Sequence, residues 1–465
     1  MNLKYLFSTK KELEMIHENS LRVLEEVGVI FHNNPEALEY FKKYGAKIDG
    51  DHVYIPKKLV EKAVQSAPST YEWIGREKNV TIGTGPSKNL PAYGPMFIYE
   101  NGKYHATTHE DTTKFHKLHE TSNVMDVSSP MVLDASYIDK NVRNDYKMTT
   151  ALKYCVKPLM GITDGKDASV RSIEVVQQFY DIFDKIVVTG LINCSSPLLY
   201  AAAMSEAIIE YSKKGQALCI TGSCTSGLTG PTSIAGIVVQ GNAEVLAGLV
   251  LSQLVNEGTP VVYCLNFSSC DLRYATCELG GAEGALLAYT ARELATFYQL
   301  PLRSGGGLTD SKQIDFQAGF ETFMIMLATY QAKIDFVTHS CGILDTMNSL
   351  SYEKYILDEE LILIINRLLR GYEVTEKTIQ FDKIKKVGPG GNFMGKTEKM
   401  YLNDYFLPKY SNRMTHGNWI NMGQPTIVEN THNALQKRLH SYVLPDITNA
   451  QQKILKKYYQ KIENS

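Results

Sequence analysis

The feature that most restricts the fold is an alternation. From about residue 123 onward, short β-rich apolar runs trade places with longer segments of helical periodicity. Eight such runs can be counted, at 126–133, 158–162, 186–192, 217–221, 260–266, 301–305, 335–340 and 384–388. Helical patterns lie between them, among others at 168–183, 235–257, 282–298, 315–332 and 352–371. The runs are apolar on both faces, as parallel strands covered by helices must be. Eight β/α alternations over roughly 270 residues favour an α/β fold closed as a (β/α)8 TIM barrel over an open doubly wound sheet. No GxGxxG opens the first unit, which removes the main argument for a dinucleotide fold.

The flanks read differently. Leu13, Ile16, Leu21, Leu24 and Val27 fall at helical spacing, and 34–44 and 56–67 repeat the pattern. The stretch 71–107, broken by Gly83, Gly85, Pro86, Gly94 and Gly102, reads as hairpins. The expected division is an N-terminal helical and hairpin extension at 1–122, the barrel at 123–395 and a helical tail at 396–465. Trp419 and Tyr442 anchor that tail, either to the barrel or in a contact between copies of the chain.

Of the 465 residues, 48 are Lys or Arg and 50 are Asp or Glu, with no long block of one sign. A nucleic-acid or polybasic membrane role has no electrostatic support, so the expected partners are a small molecule and another protein. The N-terminus lacks the apolar region and cleavage site of a signal peptide. The most apolar stretch, 245–267, is interrupted by Gln253, Asn256, Glu257 and Pro260 and does not read as a membrane span. Eight scattered cysteines without CxxC spacing fit free thiols in a reducing cytoplasm.

In a barrel the active site lies at the carboxyl ends of the strands. Polar and glycine-rich segments follow the proposed strands, including TDG at 163–165, GSCTSGLTGP at 222–231, GGGLTDSK at 305–312, HSCG at 339–342 and GPGG at 388–391. Any one of them is equally well a tight βα turn, but their recurrence after successive strands is the stronger signal. Three longer runs are distinctive: GLTGPTSIAGIVVQGNAEVLAGLVLSQLVNEGTPVVY, RSGGGLTDSKQIDFQAGFE and KVGPGGNFMGKTEKMYLNDYFLPKYSNRMTHGNWINMG. They resemble the trimethylamine methyltransferase family, and the similarity runs through most of the chain. The resemblance implies a (β/α)8 barrel that moves a methyl group from an amine to the cobalt of a cognate corrinoid protein. Gly305, Gly306, Gly307, Gly390 and Gly391 are then the candidate contacts to that corrinoid, and no directly bound metal is expected.

The trimethylamine branch of that family carries pyrrolysine, and this chain has only standard residues. The special position would fall within 304–308, which brings Leu308 into the candidate substrate set. Its absence points to the branch that demethylates quaternary amines such as betaines. A quaternary ammonium already has a neutral tertiary amine as leaving group. The enzyme need only bind the cation, aim one methyl and exclude competitors. Aromatic faces replace lost hydration by cation–π attraction, about 0.5–2 kcal/mol per ring. Tyr93, Phe97, Phe267 and Tyr274 are the cage candidates, although most of the 28 tyrosines must be structural. Glu278, Glu283 and Asp310 are placed to complement the ammonium, and helix capping or an Arg/Lys pair explains each equally well. Asn193 and Arg273 are candidates for a substrate carboxylate, Arg273 through bidentate bonds, unless it simply pairs with Asp271.

His339 closes a strand and is assigned to substrate or corrinoid contact, against the alternative of a satisfied core histidine. With Cys341, Cys224, Cys264 and Cys270 it also suggests a metal site, but the spacing is dispersed and a quaternary ammonium offers zinc no lone pair. The catalytic set is therefore His339, Asp310 and Glu278. A metal-assisted barrel hydrolase or lyase is the rival enzyme reading, and a betaine-binding protein the non-enzymatic one.

Overall fold

The structure is a computed structural model that describes residues 7–395 and 399–460; the side chain of Phe267 lies outside the described residues. Eight extended segments form a ring: β1 (Lys88–Asn89), β2 (126–128), β3 (Leu159–Met160), β4 (Val188–Asn193), β5 (Ala217–Thr225), β6 (Val261–Asp271), β7 (Arg303–Ser304) and β8 (Phe336–Val337). β3 to β6 are joined by parallel ladders, and β6 meets β7 through the Tyr263–Leu302 bridge. β7 pairs with β8 and β8 with β1, both in parallel. The amides of Asp126 and Val127 donate to the Asn89 carbonyl at 2.9 and 3.1 Å, and Ser128 bridges Leu159, so the ring closes through β2. One long helix covers each strand: α1 (His109–Glu120), α2 (Arg143–Tyr154), α3 (Gly165–Tyr180), α4 (Ala202–Lys213), α5 (Ile234–Val255), α6 (Ala282–Tyr298), α7 (Phe316–Gln331) and α8 (Tyr352–Arg370). This is the (β/α)8 barrel that the alternation implied.

Two strand assignments change. The run 384–388 lies mostly in a helix, Phe381–Val387. Its apolar residues Phe381 and Ile384 stand three apart with Asp382, Lys385 and Lys386 among them, a helical spacing too charged for a strand buried on both faces. The first barrel strand is instead Lys88–Asn89, inside the stretch read as hairpins. Two residues are too few to show any periodicity.

Side chains alternate along the barrel strands. On β5, Leu218 and Ile220 pack outward beneath the helices, while Ala217 and Cys219 point inward. The lower interior is filled by Leu90, Val127, Met160, Leu191, Val262 and Phe336. A hairpin of Tyr71–Trp73 and Val80–Ile82 closes the amino-terminal end. Its Trp73 is fully buried edge-on against Phe336, and the indole N–H donates to the Val187 carbonyl. Tyr71 adds a hydroxyl bond to Thr189 at 3.1 Å.

The N-terminal helix Lys10–Arg22 starts in a capping box of Thr9 and Glu12 and packs against α5 with the helices at 35–43 and 57–66. That covering explains α5, a 22-residue helix long and apolar enough to cross a membrane but mostly buried here. The apolar run 245–267 is thus the end of α5 and most of β6, separated by a turn. Near the carboxyl terminus, Ile427–Ser441 packs on α8, and Asn449–Tyr458 on α3. Between α8 and the first of these, none of the described residues 371–430 is buried.

Candidate active site

The carboxyl ends of the strands surround a polar centre whose most unusual member is Arg303. It projects from β7 into the barrel and retains 3% of its accessible surface. Its Nε donates to Thr338 Oγ1 at 2.8 Å, and its Nη1 to Cys264 Sγ at 3.0 Å. No carboxylate among the described residues pairs with it, although a buried charge ordinarily has such a partner. Thr221 stands beside Cys264 in the β5–β6 register, hence on the same inward face, and its Oγ1 is buried without a hydrogen-bond partner among the described residues.

His339 follows β8 in a left-handed backbone conformation, φ 55°. Burial and the positive charge of Arg303 push its imidazole down to about 3, so the ring is neutral at physiological pH. Its Nδ1 is buried and unpartnered among the described residues. Tyr93, in the loop after β1, sets its ring edge-on to His339 with centroids 6.4 Å apart. Burial holds the Tyr93 hydroxyl well above its ordinary value, which keeps it protonated. Asn193 ends β4 at the open mouth, in register with Thr221, and Asn266 on β6 is in register with Ser223. The structure thus brings together Tyr93, His339 and Asn193 of the expected set, and adds Arg303, Thr221 and Asn266.

Other expected residues sit elsewhere. Arg273 points outward with its side chain 80% exposed, and pairs with Asp271 at 2.6 Å. Its guanidinium lies 5.6 Å from the ring of Tyr274, which is also exposed. A local partner two residues away satisfied this arginine, as the alternative reading allowed. Phe97 is exposed on a small sheet formed by the loops after β1 and β8. Leu308 packs half-buried against an apolar cluster between α1, α7 and α8. The backbone of Phe267 lies on β6 opposite Cys224; its expected cage role falls on a side chain outside the described residues.

The carboxylates are engaged by the loops. Asp310 accepts from the amides of Leu279 and Gly280 at 2.9–3.1 Å and from the Thr346 hydroxyl at 2.9 Å. It therefore ties together the loops after β6, β7 and β8. Glu278 accepts from Ser269 at 2.6 Å, within the hairpin that extends β6. Glu283 lies in the first turn of α6, where an acid favours the helix end.

The glycine run has a packing cause. A Cβ on Gly306 would come within 2.3 Å of the Thr338 carbonyl oxygen, and one on Gly305 within 2.1 Å of the Thr329 hydroxyl. Gly307 donates its amide to the His339 carbonyl at 2.7 Å, so the loops after β7 and β8 lie in direct contact. Lys354 Nζ bonds Asp358 at 2.7 Å and the Gly307 carbonyl at 3.3 Å, while Asp358 accepts from the Gly342 amide. Gly390 and Gly391 lie in an exposed turn after the Phe381–Val387 helix, where Gly391 packs on Val387. Among the described residues no three His, Cys, Asp or Glu side chains converge on a metal position.

The missed residues carried a weak signal. Arg303 is the one basic side chain in the run PLRSGGG, and Cys264 and Asn266 fall on the inward phase of β6. Strand alternation alone would have placed them, had the phase been fixed first.

The comparisons with known proteins extend this picture. The chain is 37% identical to the glycine betaine methyltransferase of Desulfitobacterium hafniense (strain Y51), covering 95% of this chain and 94% of that one. It is 36% identical to the proline betaine:corrinoid methyltransferase of Eubacterium limosum, covering 97% and 96%. Among solved structures, the monomethylamine methyltransferase of Methanosarcina barkeri superposes with a TM-score of 0.55 over 95% of this chain and 89% of that one, at 10% identity, a likeness of fold. The family described as trimethylamine methyltransferase matches residues 4–465, and the chain belongs to it.

Proposed function

We propose that this protein transfers a methyl group from a betaine-type quaternary amine to the Co(I) of a cognate corrinoid protein. The observation that carries the reading is near-full-length similarity to two relatives named as betaine methyltransferases, one of them as a betaine:corrinoid methyltransferase. The absence of pyrrolysine supports a quaternary amine over trimethylamine. The corrinoid supplies the nucleophile that accepts the methyl. A partner presenting it finds a suitable rim, because Leu228, Leu272, Tyr274 and Phe316 stand exposed around the strand ends. Apolar surface of this kind marks interaction sites.

The chain's own residues bind and aim. Tyr93 and the neutral His339 ring offer aromatic surface to the ammonium, and a protonated His339 would repel it. Asn193 and Asn266 supply neutral polar contacts at the mouth. Asp310 and Glu278 act by holding the loops that shape the site. Eight free cysteines favour a reducing cytoplasm, and the described residues 371–395 and 399–430, none of them buried, support a homo-oligomer.

The test is a panel of quaternary and tertiary amines with reduced corrinoid protein, following loss of the Co(I) spectrum. Methylation from a betaine and not from trimethylamine is expected. Methylation from trimethylamine alone would overturn the reading.

A further inference from the structure

Resting on that methyl-transfer reading, we propose that Arg303 is the receptor for the substrate carboxylate and the residue that rejects quaternary ammonium ions lacking one. A site for a cation is a poor place for a buried guanidinium. Arginine stays charged at any physiological pH and cannot escape repulsion by losing its proton. Like charges a few ångströms apart in a poorly solvated interior repel strongly. Arg303 is nonetheless fixed within the barrel by Thr338 and Cys264, both uncharged hydrogen-bond partners.

The contradiction disappears if the ligand brings its own anion. A zwitterion places its carboxylate on Arg303 and its ammonium farther out, toward Tyr93 and His339. Two further observations mark the same spot as a place for an acceptor. The Thr221 hydroxyl is a buried donor without an acceptor, one strand from Cys264. Arg303 Nη2 makes no hydrogen bond among the described residues, which leaves donors free for a carboxylate oxygen. His339 Nδ1, likewise unpartnered, becomes a third donor in the tautomer that carries its proton there. Three orphaned donors and one uncompensated cation form an anion site of the kind guanidinium groups build.

Arg303 also takes over the role that the sequence offered to the exposed Arg273. An arginine already paired with Asp271 in water offers a carboxylate little, whereas an unpaired buried one gains a partner on binding.

The probes are glycine betaine and choline, which share a trimethylammonium head and differ in the carboxylate, and carnitine with its methyl ester. Binding is read by titration calorimetry on the full chain, and turnover with the corrinoid protein present. The wild type is expected to prefer each carboxylated member of a pair by about 100-fold, the scale of two charge-assisted hydrogen bonds. In Arg303→Met the betaine Kd rises about 100-fold and the preference collapses, while Arg303→Lys recovers part of both. A merely structural role would lower melting temperature without changing the preference ratio. Folded Arg303→Met that keeps the wild-type ratio overturns the proposal, as does a wild type that binds choline as tightly as glycine betaine. If Arg303→Met fails to fold, the wild-type pairs alone decide. Turnover of no quaternary amine by the wild type sinks the methyl-transfer reading instead, whatever the ratio.

Discussion

Replacing His116 by Leu should make the protein more stable near neutral pH and markedly less sensitive to acid. His116 lies on the inner face of α1, fully buried, and neither ring nitrogen has a hydrogen-bond partner among the described residues. Burial alone pushes its imidazole down to about 4. In the unfolded chain the ring titrates near its ordinary value of 6.5. Between these values the unfolded state binds a proton that the folded state refuses, so stability falls as pH falls through that window. At 1.36 kcal/mol per unit, a drop from near pH 7.5 to near pH 5 costs roughly 2 kcal/mol through this residue. Leucine has no such proton, and it also removes an unsatisfied polar group, a change worth about 1–3 kcal/mol in its favour. Guanidinium unfolding of wild type and variant at the two pH values isolates the effect, because contributions shared by both proteins cancel in the difference. His119 is also pushed far down, first by burial and then by Lys157, His116 and Arg438; its burial contribution is common to both proteins and cancels, whereas the part due to His116 belongs to the difference being measured. Equal pH dependence in the two proteins would show that His116 is solvated or paired, and the argument would fail.

Three further outcomes follow from the site. Tyr93→Ala should weaken binding of a betaine by about 2- to 30-fold while Tyr93→Phe retains it, since in the proposed cage the ring face and not the hydroxyl meets the ammonium; unchanged KM in a folded Ala variant would move the cage elsewhere. Asp310→Ala should cost about 3 kcal/mol and open the Leu279–Gly280 turn to protease, because three donors lose one acceptor; unaltered stability and cleavage would refute the clamp. Arg273→Ala should change betaine kinetics by less than about twofold, as an exposed ion pair contributes little, and a large rise in KM would restore it as the carboxylate partner.

The barrel was legible because its signal is repeated. Strands 158–162 through 335–340 each stand between long amphipathic segments, and a periodic error in one is corrected by its neighbours. The terminal turn of the alternation was misplaced for local reasons. Lys88–Asn89 derives its strand identity from pairing with Phe336 and Val337, which are distant in sequence, and KIKKV imitates a strand only if its charges are ignored. The site was harder to read. Residue type alone makes Arg273 and Arg303 equivalent, and only their surroundings separate them: Asp271 beside one, the inward face of a closed ring around the other. Asp310 likewise looks catalytic in GGGLTDSK until the amides of Leu279 and Gly280 are seen to occupy it. A function that depends on what lacks a partner is invisible to any reading that counts residues without their neighbours.

The Trp73 hairpin covers the amino-terminal end, so among the described residues the chamber opens at the carboxyl ends of the strands. Amine and cobalt must reach the same chamber from the same side, and the larger visitor covers the threshold. The amine is therefore expected to enter before the corrinoid protein docks, and the demethylated product to leave after it has lifted away. The expected signature is an ordered turnover in which an excess of the corrinoid protein slows entry of the next amine instead of hastening it.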